Sequence, residues 1–230
     1  GLGSSSTLVV AMVRAYVELL NLPLDDYSIA NLAYKIERLD CGLQGGRQDQ
    51  FSATFGGVNF IEFHRHPRTT VNPLRVKNWI LCELEASLVL YFTGVSRESA
   101  RIIAEQSGNV HENKNDALNA MHSVKREALI MKECLLKGDF DGFVMAMRRG
   151  WAAKKQSAST VSNSNIDAVY EAAMEAGALA GKVSGAGGGG FMWFFVPNEK
   201  RMNVCRMLES FGGQAGNCHF TKSGCQAWRP

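Results

Sequence analysis

An α+β fold is predicted by three features of the 230-residue chain. Apolar residues recur at helical spacing over long stretches, residues 8–20 and 115–136 among them. Two compact apolar runs, 88–92 and 191–196, read as buried strands. The last third alternates strand, glycine-rich loop, strand, helix and strand. Blocks of both element types suggest two lobes, each a sheet with helices packed on one side, and a site between the lobes.

The composition narrows the function classes. Hydrophobic residues make up 46% of the chain, enough for a sizeable core, and charged residues only 20%, which excludes a disordered polypeptide. Against 25 basic residues stand 22 acidic ones, and a net charge of +3 with no basic run excludes a nucleic-acid surface. The cysteines are scattered without a C-x-x-C pair, which argues against a zinc site and a disulfide framework and for reduced thiols in the cytoplasm. The apolar runs are far too short to cross a bilayer, and no secretory signal is visible.

Taken in order, the chain opens on Gly1-Leu2-Gly3-Ser4-Ser5-Ser6-Thr7 and runs directly into a helix. Its expected buried face carries Leu8, Val9, Met12, Val13, Tyr16, Val17 and Leu20, and it ends near Asn21-Leu22-Pro23. Asp25 and Asp26 can cap a second helix, 28–39, whose apolar face is Ile29, Leu32, Ala33, Ile36 and Leu39. A turn-rich segment, 41–46, delivers Arg47-Gln48-Asp49-Gln50, followed by Phe51 to Phe55 and a Gly56-Gly57 turn. Val58, Phe60 and Phe63 read as strand, and a boundary between lobes is expected between 62 and 78. Helices are predicted from Arg97 through Gln106, over 115–136 and, after Gly138, over 140–155. Beyond a polar loop, Ser164 or Asn165 can cap the helix of Ile166, Val169 and Ala173, and the final helix and strand fall near 199–211 and 214–220.

Four stretches can carry chemistry. Gly1 and Gly3 let the backbone approach a ligand closely, and the serines sit where a new helix has unpaired N–H groups. Such a start binds anions, and its hydroxyls can reach phosphate or magnesium, although by itself it reads equally well as an ordinary N-cap. The second stretch is Ser184-Gly185-Ala186-Gly187-Gly188-Gly189-Gly190. It contains G-x-G-x-x-G, but a strand follows where a dinucleotide fingerprint needs a helix. No Walker A loop and no protein-kinase signature set is present. Glycine at five of six positions still exceeds what a turn requires. The third is Asp49, a carboxylate just after a tight turn that could take or orient a hydroxyl proton. The fourth is Glu37, on the buried-facing half of the second helix near Ile36, of the type that holds magnesium together with phosphate oxygens. Either acid alone reads as solvated, and only their closeness to the serine-rich helix start raises them.

These stretches resemble the GHMP kinases, the superfamily of galactokinase, homoserine kinase, mevalonate kinase and phosphomevalonate kinase. Residues 1–6 resemble its second motif and 183–191 its third, in the right order over essentially the whole chain. Gly46-Arg47-Gln48-Asp49-Gln50-Phe51, Phe55-Gly56-Gly57, Tyr91-Phe92-Thr93-Gly94 and 181–195 are most like the bacterial heptose 7-phosphate kinases, and L-fucose kinases are similar around Gln48-Asp49-Gln50.

The resemblance implies a ribosomal protein S5 domain 2-like N-lobe, incomplete here, over residues 1–70, and a ferredoxin-like C-terminal domain over 71–230. It implies that Gly1, Gly3, Ser4, Ser5 and Ser6 cradle the ATP phosphates, with Gly185, Gly187 and Gly188 supporting them. Ser5 and Glu37 would hold magnesium, Asp49 would be the base, and Arg47, Gln48, Arg97 and Lys182 would contact the sugar, with Thr93 a weaker candidate. The implied reaction is transfer of the ATP γ-phosphate to the anomeric hydroxyl of D-glycero-D-manno-heptose 7-phosphate in the cytoplasm. The alternatives are an L-fucose or other sugar 1-kinase and a non-catalytic sugar or nucleotide sensor. A homodimer stays open, with neither nucleic acid nor membrane as partner. The family carries a segment with a first motif ahead of the residue matching Gly1, so the chain is expected to be part of a longer enzyme.

Overall fold

The computed structural model describes residues 2–65, 68–94, 99–112 and 115–229. The chain divides into two compact units. The smaller is built on Gly3–Arg75 and the closing segment from Phe220, the larger on Val76–His219.

In the smaller unit, α1 (Ser4–Leu19) and α2 (Asp26–Lys35) pack with α3 (Gln48–Phe55), and β1 (Asn59–Phe63) and β2 (Thr69–Pro73) form an antiparallel hairpin. Asp25 caps α2 by accepting the Ser28 N–H at 2.7 Å, and its pKa is lowered by that bond. The α1 face differs from expectation. Ser6, Val10, Val13 and Val17 are buried, whereas Leu8, Met12, Tyr16 and Leu20 are exposed. The helix is apolar on two sides, and periodicity alone cannot say which side meets α2. The second helix also departs from its expected course. Its α-helical part stops at Lys35, and Ile36–Asp40 forms a π turn closed by Cys41 N–H to Ile36 C=O at 2.9 Å. The wider turn shifts the phase beyond it, so Leu39 is exposed, whereas Glu37 is buried on the inward half of the helix as expected.

The larger unit runs α4 (Asn78–Ser87), β3 (Leu88–Phe92), α5 (Ser99–His111), α6 (Asn115–Lys137), α7 (Phe140–Ser157), α8 (Ser164–Glu175), β4 (Ala180–Val183), β5 (Phe191–Phe195), α9 (Arg201–Glu209) and β6 (Gln214–Asn217). Its sheet is antiparallel in the order β4-β5-β3-β6. Numbered along the chain, that is 2-3-1-4, the ferredoxin-like arrangement. Tyr91, Met192 and Phe194 from the sheet pack with Ile166, Val169 and Leu208 from the helices. Each such fully buried side chain contributes about 1.5–3 kcal/mol.

Three elements were not read from the sequence, β2, α3 and α4, because none carries a long periodic pattern. The cap of α8 is Asn163, which accepts from the N–H groups of Asn165 and Ile166, rather than Ser164 or Asn165. No helix among the described residues is long and apolar enough to cross a membrane.

Candidate active site

The start of α1 is a left-handed glycine. Gly3 is the N-cap at φ +73°, and no side chain caps the helix. The first ladder bond runs from Thr7 N–H to Gly3 C=O at 2.9 Å. The N–H groups of Ser4, Ser5 and Ser6 therefore have no partner in the helix. With the positive end of the helix dipole behind them, and no acidic residue in the first turn, they favour an anion. Ser4 and Ser5 are exposed, whereas Ser6 is buried and turns its hydroxyl inward.

Asp49 stands against this helix start. It lies in the first turn of α3, and a Cβ placed on Gly3 would be 3.0 Å from its Cγ. Only a residue without a side chain combines that φ with that approach. Desolvation raises the Asp49 pKa, the Arg38 guanidinium opposes the rise, and the Glu37 charge adds to it. The residue stays exposed, so an incoming hydroxyl can reach the carboxylate.

Glu37 comes from the π turn and is 1% exposed. Its Oε1 accepts from Ser6 Oγ at 3.0 Å and its Oε2 from Gln50 Nε2, which also donates to Ser6 Oγ at 3.2 Å. Both partners are neutral. The hard oxygens of a carboxylate are of the type that suits a divalent cation such as magnesium.

The approach to α3 is braced by Arg38, which donates to the carbonyls of Gln44 at 3.2 Å and Gly46 at 3.4 Å. Arg47 is the N-cap of α3, and its guanidinium carbon lies 4.9 Å from the Tyr34 ring centroid. Gln48 is exposed beside it.

In the larger unit the loop between β4 and β5 holds Gly185, Gly187 and Gly188 at φ +61°, +118° and +75°. A Cβ on Gly187 would lie 2.6 Å from the Val161 carbonyl oxygen. Gly188 N–H donates to that same oxygen at 2.8 Å, Thr93 N–H and Oγ1 donate to Gly190 C=O, and Lys154 Nζ donates to Gly185 C=O. Burial, with the Lys182 charge adding, lowers the Lys154 pKa to about 8, and burial also lowers that of Lys182. The two lysines line a cavity of about 100 Å³ together with Met147 and Trp151.

The structure thus brings Gly3, Ser6, Glu37 and Asp49 together, with Ser4 and Ser5 on the same helix start and Arg47 and Gln48 leading into the turn of Asp49. Gly185, Gly187, Gly188 and Lys182 lie in the larger unit. Gly1 and Arg97 fall outside the described residues. Sequence reasoning missed Arg38, Gln50 and Lys154. Only Gln50 left a signal: it shares the buried face of α3 with Phe51 and Thr54.

Comparison with known proteins supplies the family. The profile of the GHMP kinases N terminal domain matches residues 1–57, and that of the GHMP kinases C terminal region matches residues 131–213. The D-glycero-alpha-D-manno-heptose 7-phosphate kinase of Campylobacter jejuni is 48% identical over 100% of the chain and 67% of the relative. A crystal structure of a D-glycero-D-manno-heptose 1-phosphate kinase from Bacteroides thetaiotaomicron superposes with a TM-score of 0.79 at 39% identity, covering 100% of this chain and 64% of that one. The chain therefore spans about two thirds of the length of these relatives. A bifunctional fucokinase/GDP-fucose pyrophosphorylase of Arabidopsis thaliana is more distant, 28% identical over 91% of the chain and 20% of that protein. On identity and coverage together, the chain belongs to the GHMP kinase family.

Proposed function

We propose that the complete protein is an ATP-dependent cytoplasmic sugar kinase that phosphorylates the anomeric hydroxyl of D-glycero-D-manno-heptose 7-phosphate. The observation that carries this reading is the Asp49 carboxylate packed on Gly3 at the helix start, in a chain 48% identical to a heptose 7-phosphate kinase. Residues 1–70 would form part of the N-lobe and 71–230 the C-terminal domain, a division supported by the matched ranges 1–57 and 131–213.

The chemistry follows from the chain's own groups. The free N–H groups of Ser4 to Ser6 hold phosphate oxygens of ATP. Asp49 takes the proton of the sugar hydroxyl as its oxygen bonds to the γ-phosphorus and the bond to ADP breaks, leaving a 1,7-bisphosphate. A raised pKa makes Asp49 a stronger base than an ordinary carboxylate. Glu37, with Ser5, would hold magnesium, which supplies neutralisation of charge on the β- and γ-oxygens. Magnitudes support sharing the work in this way. A helix dipole offers an anion about 0.3–2 kcal/mol, far below the ~8 kcal/mol minimum of enzymatic acceleration. The assignments of Gly185, Gly187, Gly188 and Lys182 rest on the family resemblance alone.

A phosphorylated sugar needs a cation for its far end, and Arg47, next to Gln48 and Asp49, offers bidentate donors. Arg47→Ala should raise KM for the sugar phosphate about tenfold and leave KM for ATP nearly unchanged. The identity test is a panel of heptose 7-phosphate, L-fucose, D-galactose and mevalonate with the complete polypeptide. Highest kcat/KM for L-fucose would favour the fucokinase reading, and no turnover of any acceptor would favour a sensor. The presence of both Glu37 and Asp49 speaks against the sensor, which has no use for them.

A further inference from the structure

The Glu37 carboxylate is held from two directions by side chains of two other elements. Ser6 belongs to the first turn of α1, Glu37 to the π turn and Gln50 to the first turn of α3. The protons can be accounted for completely. The Ser6 hydroxyl proton goes to Glu37 Oε1, one Gln50 amide proton to Glu37 Oε2, and the other to Ser6 Oγ. The ring of bonds among the three side chains is closed.

One atom is left over. Gln50 Oε1 is buried without a partner, in a residue that is 0% exposed. An unpaired buried acceptor costs about 1–3 kcal/mol, a cost that an apolar side chain of similar shape would avoid. The donor end of the amide, which meets Glu37 and Ser6, is the part of Gln50 with work to do.

We propose that Ser6 and Gln50 are positioning residues that lock the Glu37 carboxylate in the orientation needed to bind a divalent cation. The inference rests on the reading of Glu37 as the metal carboxylate. A hydroxyl on one oxygen and an amide on the other stop the carboxylate from rotating, and each oxygen keeps acceptor capacity for a metal. Magnesium demands near-octahedral geometry at about 2.0–2.1 Å, so it gains from a carboxylate fixed before it arrives. Partners that orient a ligand in this way are typically worth about 10–100-fold in metal affinity.

The test uses the complete polypeptide with a non-hydrolysable ATP analogue and Mn²⁺ as the probe, with free Mn²⁺ counted by electron paramagnetic resonance. Gln50→Leu should weaken Mn²⁺ binding by about 10–100-fold and Ser6→Ala by about tenfold. Binding of the analogue without metal should change little in Gln50→Leu. A purely structural role gives a different result: lower thermal midpoints with unchanged Mn²⁺ affinity in the folded protein, and that outcome overturns the proposal. Should Gln50→Leu fail to fold, Ser6→Ala, which removes a single hydroxyl, decides alone. Glu37→Gln separates the two readings. If it binds Mn²⁺ as the parent does, the metal reading of Glu37 falls and this inference falls with it. If it binds weakly while Ser6→Ala and Gln50→Leu do not, only the positioning role is lost.

Discussion

The chain has two glycine-rich stretches, and the structure uses them in opposite ways. At the start of α1 a single left-handed glycine, Gly3, opens a place that ionisable side chains then occupy, with Asp49 against its Cα and Glu37 held behind Ser6. Between β4 and β5 the glycines are held by backbone. Gly187 is pressed on the Val161 carbonyl, and Gly188 and Gly190 are tied by hydrogen bonds to Val161 and Thr93. The first stretch gathers two carboxylates, Asp49 and Glu37, around a helix start. The second holds main-chain shape, with Lys154 as its charged tether. Glycine content alone does not separate the two uses. What separates them is the chemical type of the atom that a Cβ would strike.

The sharpest break in this contrast is expected from Asp49→Asn. In the complete enzyme, turnover should fall by about 10²–10⁴, some 3–5 kcal/mol of barrier, with ATP binding nearly intact. More than about a third of the parent rate would remove Asp49 as the base. The parent rate should also decline in acid around a pKa above 3.8, the ordinary value of the group. A carboxylate whose folded pKa is raised holds its proton longer in the native state, so its ionisation lowers stability as pH rises through that window. The variant should accordingly unfold at a urea midpoint no lower than the parent's near neutral pH.

Gly187→Ala should act on the other stretch, through stability. Its φ of +118° and the 2.6 Å approach to Val161 predict a loss of about 3 kcal/mol in urea unfolding. Activity should follow the folded fraction. A stable variant with low kcat would mean that the loop takes part in chemistry. Gly3→Ala is expected to reverse that pattern. Left-handed backbone costs an alanine only about 1–2 kcal/mol, but the new methyl would push the Asp49 carboxylate, and a misplacement of about 1 Å can cost about 10² in rate. Equal losses in rate and in folded fraction would show that the two glycines do the same work.

The smallest effect concerns the tether. Lys154 has a folded pKa of about 8 against 10.5 for the free group. Between those values the unfolded chain binds a proton that the native state does not, so stability should rise with pH across that window. Lys154→Met should flatten the rise, read as a smaller difference between urea midpoints at about pH 7.5 and about pH 9.5. An unchanged slope would assign the rise to other groups, with Lys182 the first to test.

The sequence by itself determined the features that local patterns encode. Strand β3 fell on Leu88–Phe92 as read, α6 and α7 matched their stretches within two residues, and the order strand, glycine loop, strand, helix, strand was legible because short apolar runs and glycines are local signals. The motif order also carried the family. Tertiary structure alone decided which of two apolar faces of α1 is buried, since Val10 and Leu8 look alike until α2 and α3 are in place. It decided that Leu39 is exposed, because a π turn adds a residue that no hydrophobic period marks, while Glu37 is buried as its helical spacing with Ile29 and Ala33 predicts. It also decided that Ser6 and Gln50, 44 positions apart, share one carboxylate. Periodicity describes which side of an element is apolar, whereas a hydrogen-bonded ring among three elements depends on where their backbones meet, and that is fixed only when the core packs.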